Sequence, residues 1–375
     1  MPRPGYDEVL LITGYPTFGA RQLVALALRT QPSTFLYALA APEQMEAAQE
    51  HAAALSPDAR ERFELLEGTT THIDLGLSGA EVRRICTEVD RIHHMEQLTH
   101  PSVDKESATR VNVRGTLEVL ELARSCHQLK ALVYHSTAFV AGDRTGKILE
   151  DELDKHQRFR NPVEETKAIA ERLVRAAMRS IPAMILRPTL VVGDSQSGEV
   201  DQLEGPYLAL LLILSTPPEM AVPLPRSDNP LHMIPVDYMV QAALALGRDS
   251  RAIGKTFHLA DPKCLSADRV FEILARAAGR RIGGALPTAF TQALLRAPGL
   301  TRLVRSPRAF LDQILTPVCF DTSHTDQLLH GTGIVCPPFE SYVDRLVAYV
   351  RARYLVETSP DTGRPSLDLD ADDLP

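Results

Sequence analysis

The chain is 375 residues long with 44% apolar and 23% charged side chains, the composition of a globular protein with room for two to three domain-sized units. Its formal charge of −8 argues against a non-specific nucleic-acid binder, and the absence of Trp with only 5% aromatics argues against a stacking platform for single strands. Five dispersed cysteines (Cys86, Cys126, Cys264, Cys319 and Cys336) read as reduced thiols, not as a disulfide frame or a zinc site. No signal peptide is visible, and the longest apolar run, Leu208–Leu214, is too short for a membrane span, so the expectation is a cytoplasmic protein.

In chain order, Val9–Ile12 predicts a short branched strand, followed by a Gly-containing turn and helical spacing over Arg21–Arg29. Phe35–Leu39 predicts a second strand and Glu43–Leu55 an Ala-rich helix. Phe63–Leu66, Asp90–His93 and Ala131–Tyr134 predict further strands, with helices at Glu81–Glu88 and Val113–Cys126 between them. A helix at Val163–Met178 precedes strands at Met184–Leu186 and Leu190–Val192. This alternation implies an α/β fold, a doubly wound parallel sheet covered on both faces.

Beyond Gly193 the rhythm breaks, and Pro217, Pro218, Pro223, Pro225 and Pro230 punctuate a loop-rich stretch. Val236–Leu246 then predicts a helix, Thr256–Leu259 a strand, Leu265–Ala278 a helix, Pro287 to about Leu315 broken helical pieces, and Phe339–Tyr354 a last amphipathic helix. The expected layout is an α/β domain over 1–261, with 196–233 contributing to a smaller, mostly helical C-terminal lobe at 262–355. Residues 356–375 form an acidic tail expected to be disordered, either simply solvated or a recruitment motif.

Between the first strand and helix runs Leu11-Ile12-Thr13-Gly14-Tyr15-Pro16-Thr17-Phe18-Gly19-Ala20-Arg21, where a dinucleotide pyrophosphate would meet the positive end of a helix. Gly14 would supply the tight turn and Ala20 the close helix–strand packing, while Thr17 stands where a glycine lets backbone approach phosphate. A plain turn into a helix explains the same residues. Further motifs follow: Asp74-Leu75-Gly76-Leu77-Ser78, Asn112-Val113-Arg114-Gly115-Thr116, Tyr134 to Gly142, Leu186-Arg187-Pro188 with Gly193-Asp194-Ser195, Ile234-Pro235-Val236-Asp237-Tyr238, and Gly254 to Leu259.

Together these motifs resemble the extended short-chain dehydrogenase/reductases, in the branch of the thioester and fatty-acyl reductases. The resemblance implies a Rossmann-like NAD(P)-binding fold with Gly14, Tyr15, Pro16, Thr17, Phe18, Ala20 and Arg21 at the cofactor turn. It implies an acyl-type small-molecule ligand, with a protein partner as the other possibility. It also implies a hydride-transfer site. There a Ser/Thr hydroxyl orients the carbonyl, a Tyr phenol moves the proton, and a Lys lowers the phenol pKa and holds the cofactor ribose.

Thr137 falls on the hydroxyl position, with Ser136 beside it; the other reading is a strand-end hydroxyl that satisfies backbone. The Tyr–Lys pair belongs to the helix opening Asn161-Pro162-Val163-Glu164-Glu165-Thr166-Lys167, for which Asn161 is a good N-cap and Pro162 suits the first position. Residues 163 and 167 share one helical face, but the tyrosine position holds Val163, which has no proton to give at any pKa. Glu164 and Glu165 are rotated about 100° and 200° around the helix and cannot stand in. Lys167 reads equally as a ribose contact or as a surface lysine pairing with Glu171.

Neighbouring positions depart as well. Where the branch carries Gly-Asp after its third strand, Gly68 is followed by Thr69, and where its fourth strand ends in two small residues, Glu96 and Gln97 stand. The second strand ends Leu39-Ala40-Ala41-Pro42, with neither the Arg that marks NADP nor the carboxylate that marks NAD. A carboxylate at Glu96 would repel an anionic dinucleotide and take its volume. A site for NADP or NAD that includes Thr69, Glu96 and Lys167 is thus expected in outline, and its occupancy is the open question. His93 and His94 point to opposite faces of a strand, so no metal site is expected, and His232 and Tyr238 serve either the substrate side or the fold. The leading expectation is a catalytically degenerate protein with a regulatory, ligand-sensing or scaffolding role. The alternative is an NAD(P)H-dependent reductase of acyl thioesters or aldehydes that uses Thr137, Lys167 and a water or another tyrosine.

Overall fold

Strands buried on both faces require nearly unbroken apolar runs, and the first half of the chain supplies them. The computed structural model describes residues 3–201, 203, 205–217, 219–222, 224, 227–283 and 307–354. The tail from Glu357 and the first part of the segment beginning near Pro287 lie outside the described residues. The chain runs through β1 (Glu8–Thr13), α1 (Phe18–Thr30), β2 (Thr34–Ala40), α2 (Met45–Ala53), α3 (Pro57–Glu61), β3 (Phe63–Glu67), α4 (Gly79–Glu88) and β4 (Arg91–His94). Next come α5 (Lys105–Ala108), a π-helical segment Thr109–Gly115, α6 (Thr116–Ser125), β5 (Ala131–His135), β6 (Gly146–Ile148), α7 (Pro162–Ala177) and β7 (Ala183–Pro188). The remainder comprises β8 (Leu190–Val192), α8 (Pro206–Ser215), β9 (Met233–Pro235), α9 (Val236–Arg248), β10 (Thr256–Leu259), α10 (Ala267–Ala277), α11 (Pro307–Ile314), β11 (Val318–Phe320), α12 (Ser323–Leu329) and α13 (Val343–Tyr354).

A seven-stranded sheet has the order β10-β7-β5-β4-β1-β2-β3. Every neighbouring pair in it is parallel. Every residue of β1, β2, β5, β7 and β10 is buried. The chain builds outward from β1 through β2 to β3, then returns to the other side of β1 to lay down β4. The strand order therefore reverses between β1 and β4, which places Gly14 and residues 95–97 side by side on the carboxyl edge of the sheet.

Two compact units divide the chain: Met1–Thr189 with Asp237–Pro262 and Cys319–Val335, and Leu190–Val236 with Lys263–Val318 and the residues from Cys336 onward. The first has a core in which Val9, Leu11, Tyr37, Ile92, Leu132 and Ile185 of the sheet meet Val119 and Leu120 of α6 and Val174 of α7. Residues 319–335 belong to this unit because buried Glu150 accepts from the His258 amide (2.9 Å), the His324 amide (2.6 Å) and the Thr325 hydroxyl (3.0 Å). In the second unit, α8 contributes Leu210, Leu211 and Ile213 to a core shared with Phe271 and Leu274 of α10 and Leu346 and Val350 of α13.

Several expectations change in detail. The stretch after Gly193 was expected to be loop-rich, yet it contains α8, a helix apolar on almost every side that serves as core for that reason. Leu190–Val192 is a strand that pairs with β9 in a separate two-stranded sheet. The helix expected at Val113–Cys126 begins as the π-helical segment, and regular α-helix starts only at Thr116.

Glu171 on α7, fully buried, accepts from Arg187 Nε (3.0 Å) and Nη2 (2.5 Å) on β7, from Arg175 Nε (3.0 Å) and from Ser136 Oγ (2.9 Å). Burial pushes its carboxyl upward, and the Arg187 guanidinium outweighs that effect and holds it below the usual 4.5. Glu171→Ala would leave Arg187, itself 1% exposed, without its anion. The expected cost is about 3–5 kcal/mol, read as a lower urea midpoint at unchanged slope. A loss below about 1 kcal/mol, the range of an exposed pair, would show that water reaches this network.

Candidate active site

Gly14 closes β1 with φ of +81°, and a Cβ there would lie 2.6 Å from backbone atoms of Glu96, so no other residue fits. The turn after it is held by Thr17, whose hydroxyl (2.7 Å) and amide (3.1 Å) both donate to the Gly14 carbonyl. The Tyr15–Pro16 bond is cis. Tyr15 donates its amide to the Leu39 carbonyl (3.1 Å) and buries its ring against Phe63, with centroids 5.6 Å apart. Burial pushes its phenol up to about 12. Ala20 is fully buried in α1, and the Arg21 guanidinium carbon lies 5.6 Å from the centre of the Phe18 ring. The structure thus gathers Gly14, Tyr15, Pro16, Thr17, Phe18, Ala20 and Arg21 into one turn at the end of β1.

Across the point of strand reversal, the end of β4 is tied to the end of β1. The Thr13 hydroxyl oxygen accepts from the Met95 and Glu96 amides (both 3.1 Å), so its proton goes to His94 Nδ1 (2.9 Å). His94 Nε2 then donates to Thr116 Oγ1 (3.2 Å), and burial holds the ring neutral with its pKa down at about 3. His93 turns the other way, with Nδ1 3.3 Å from His135 Nε2, so adjacent histidines serve different neighbours.

The two departures at residues 69 and 96 meet. The Glu96 carboxylate accepts from Thr69 Oγ1 (2.7 Å) and from the Thr70 amide (3.1 and 3.2 Å). That contact joins the segment after β4 to the segment after β3, strands that β1 and β2 separate in the sheet. Burial pushes the Glu96 carboxyl above its usual 4.5, only partly opposed by the bonds from Thr69 and Thr70.

On α7, Asn161 caps the helix by accepting from the Glu164 amide (3.0 Å), with Pro162 next. Val163 and Lys167 are both buried on the helix, and the surface-lysine reading is corrected: Lys167 is 1% exposed. Glu171 is already engaged by Arg187, Arg175 and Ser136, so the Lys167 ammonium donates to two neutral oxygens, Gln97 Oε1 and the His135 carbonyl (2.7 Å). Gln97 Nε2 also donates to the His135 carbonyl, so one amide side chain bridges strand end and helix. Burial drives the Lys167 pKa far below its usual 10.5. Glu164 and Glu165 go elsewhere, to Arg160 (3.2 Å) and Lys105 (2.9 Å).

Thr137 is half-buried, and its hydroxyl oxygen accepts from the Phe139 amide (3.3 Å) at the start of a short helical turn. Ser136 is committed to Glu171. His232, in the other unit, bonds the Val318 carbonyl (3.1 Å). Two residues matter more than their sequence suggested. Gln97 holds Lys167, and Asn112 grips the Leu98 amide (2.9 Å), the Leu98 carbonyl (3.0 Å) and Thr166 Oγ1 (3.1 Å). A π-helical segment around Asn112 is a signal of such use, but it is not visible in a sequence.

As arranged, the edge offers a nicotinamide dinucleotide no phenol at position 163, an ammonium already bonded, and a carboxylate beside the glycine turn. The residues present do not fit that cofactor in this arrangement. The two buried charges have opposite pH signatures. Glu96 binds its proton more tightly when folded, so it removes stability as pH rises above 4.5 through its raised folded pKa. Lys167 binds its proton less tightly when folded, so its contribution to stability rises as pH climbs from its lowered folded pKa towards 10.5. Glu96→Gln is therefore expected to melt higher than wild type near neutral pH, the gap closing in acid, and Lys167→Met to lose the alkaline rise. Thermal unfolding across pH checks both, and pH-independent differences would contradict them.

The family described as male sterility protein, an NAD-binding family, matches residues 12–243. A Drosophila melanogaster protein named fatty acyl-CoA reductase wat is 28% identical over 224 residues, covering 52% of this chain and 43% of that protein. Arabidopsis thaliana fatty acyl-CoA reductase 1 is 23% identical over 308 residues, covering 64% of this chain and 63% of that protein. The chain thus spans less than two thirds of these relatives. The terminal R domain from the myxalamid PKS-NRPS biosynthetic pathway superposes with a TM-score of 0.78 at 28% identity, covering 94% of this chain and 92% of that one. The reductase domain of a Mycobacterium tuberculosis nonribosomal peptide synthetase shares the fold, with a TM-score of 0.71 at 20% identity and coverage of 93% and 92%. No helix among the described residues is long and apolar enough to cross a membrane. With the glycine turn, the Glu96 contact and Lys167 all inside the matched interval, the chain belongs to the male sterility protein family of the extended short-chain dehydrogenase/reductases.

Proposed function

We propose that this chain is a catalytically degenerate member of its family, retaining the fold for a regulatory, ligand-sensing or scaffolding role. The observation that carries this reading is the pair on α7: Val163 where a phenol would stand, and Lys167 drawn into the protein by Gln97 and the His135 carbonyl. Without a phenol, the proton-transfer contribution of about 10²–10⁴-fold is lost. Tyr134 does not replace it. Its ring centre lies 5.0 Å from Lys167 Nζ, but it belongs to the apolar core and burial pushes its hydroxyl far above the usual 10.

A second reading has support of its own. The Thr137 hydroxyl accepts a bond from Phe139 and keeps its own proton for a carbonyl, and the relatives carry the names of acyl-CoA reductases. On that reading the chain is a slow NAD(P)H-dependent reductase of acyl thioesters or aldehydes. Steady-state assays with acyl-CoA and aldehyde panels, with NADPH and NADH, decide between the two. No turnover is expected from the wild type or from Val163→Tyr, because Gln97 keeps Lys167 in either chain. Wild-type turnover that Thr137→Ala abolishes would overturn the proposal.

A further inference from the structure

In an open α/β sheet, the crevice outside the carboxyl ends at the point of strand reversal is where a ligand is held. Here that place lies between β1 and β4, and side chains of the chain itself reach across it. From adjacent positions Glu96 and Gln97 reach opposite ways. Glu96 takes the Thr69 hydroxyl and the Thr70 amide, and Gln97 takes the Lys167 ammonium and the His135 carbonyl. Between them they span the carboxyl edge from the segment after β3 to α7.

This segment is held in place. Asn112 bonds both the amide and the carbonyl of Leu98, and it ties them to Thr166 beside Lys167. Thr13 holds the Met95 and Glu96 amides from the other side, and the Glu96 backbone packs against Gly14 with no room for a Cβ. A dinucleotide entering here would have to displace these bonds and leave buried donors unpaired, while its phosphates met the Glu96 carboxyl.

We infer that Glu96 and Gln97 are a built-in occupant of the dinucleotide site, and that these two side chains keep NAD(P) out. The inference rests on the degenerate reading above and deepens it by naming what closes the cleft. Removing both side chains should reopen the site to binding without restoring chemistry, since position 163 still lacks a phenol.

The test is titration of the full chain with NADPH and with NADH, followed by nucleotide fluorescence, with thermal unfolding as the check on folding. Wild type should show no saturable binding. The double variant Glu96→Ala/Gln97→Ala should bind saturably, with a Kd at least about tenfold below the highest nucleotide concentration at which wild type fails to saturate. Should loss of Gln97 unsettle Lys167 and unfold the chain, Glu96→Ala alone leaves the Lys167 contacts intact and should still gain affinity. Glu96→Gln, which keeps the volume and the acceptor, should gain less than Glu96→Ala. Saturable wild-type binding at micromolar nucleotide overturns the inference, as does folded Glu96→Ala that binds no better than wild type. Wild-type binding without turnover sinks this occupancy alone, whereas wild-type turnover sinks the degenerate reading itself.

Discussion

A buried ammonium has to be surrounded by oxygen, and much of the candidate site is arranged around that demand at Lys167. The nearest carboxylate along the helix, Glu171, is not available, because Arg187 and Arg175 claim both its oxygens. Lys167 is left with an amide and a backbone carbonyl, two neutral acceptors. Gln97 can serve only if the chain after β4 is held in one register, and Asn112 and Thr13 hold it there. The amine on α7 is thus met by a segment seventy residues earlier that other side chains hold in place.

The same edge shows how substitutions that look independent become coupled. Thr69 and Glu96 are each unusual alone, and a buried carboxylate without donors would be costly. Placed together, the Thr69 hydroxyl and the Thr70 amide make the carboxylate tolerable. Gln97 makes a similar match with Lys167. In both pairs a polar group of one segment answers a polar group of another, so the two departures are one structural feature.

Much of the architecture was legible because parallel strands buried on both faces leave continuous apolar runs, as in Val9–Ile12, Phe35–Leu39 and Ala131–Tyr134. Less legible was α8, where prolines on its C-terminal side suggested loop and where all-round apolarity carries no helical period. The site was legible as a set of residue types: no proton at Val163, a carboxylate at Glu96, a hydroxyl at Thr69. The fate of Lys167 was not, since a surface pair with Glu171 and a cofactor contact are both sound i,i+4 expectations.

By itself, then, the sequence determined the alternating α/β architecture, the glycine turn after β1 and the absence of a phenol at Val163. Each of these is local, set by hydrophobic period, backbone freedom or side-chain chemistry within a few residues. The tertiary structure alone decided that Glu171 goes to Arg187, that Lys167 goes to Gln97, and that Thr69 finds Glu96. Those choices are made between groups far apart in the chain, where hydrogen-bond geometry and desolvation, and not spacing, select the partner.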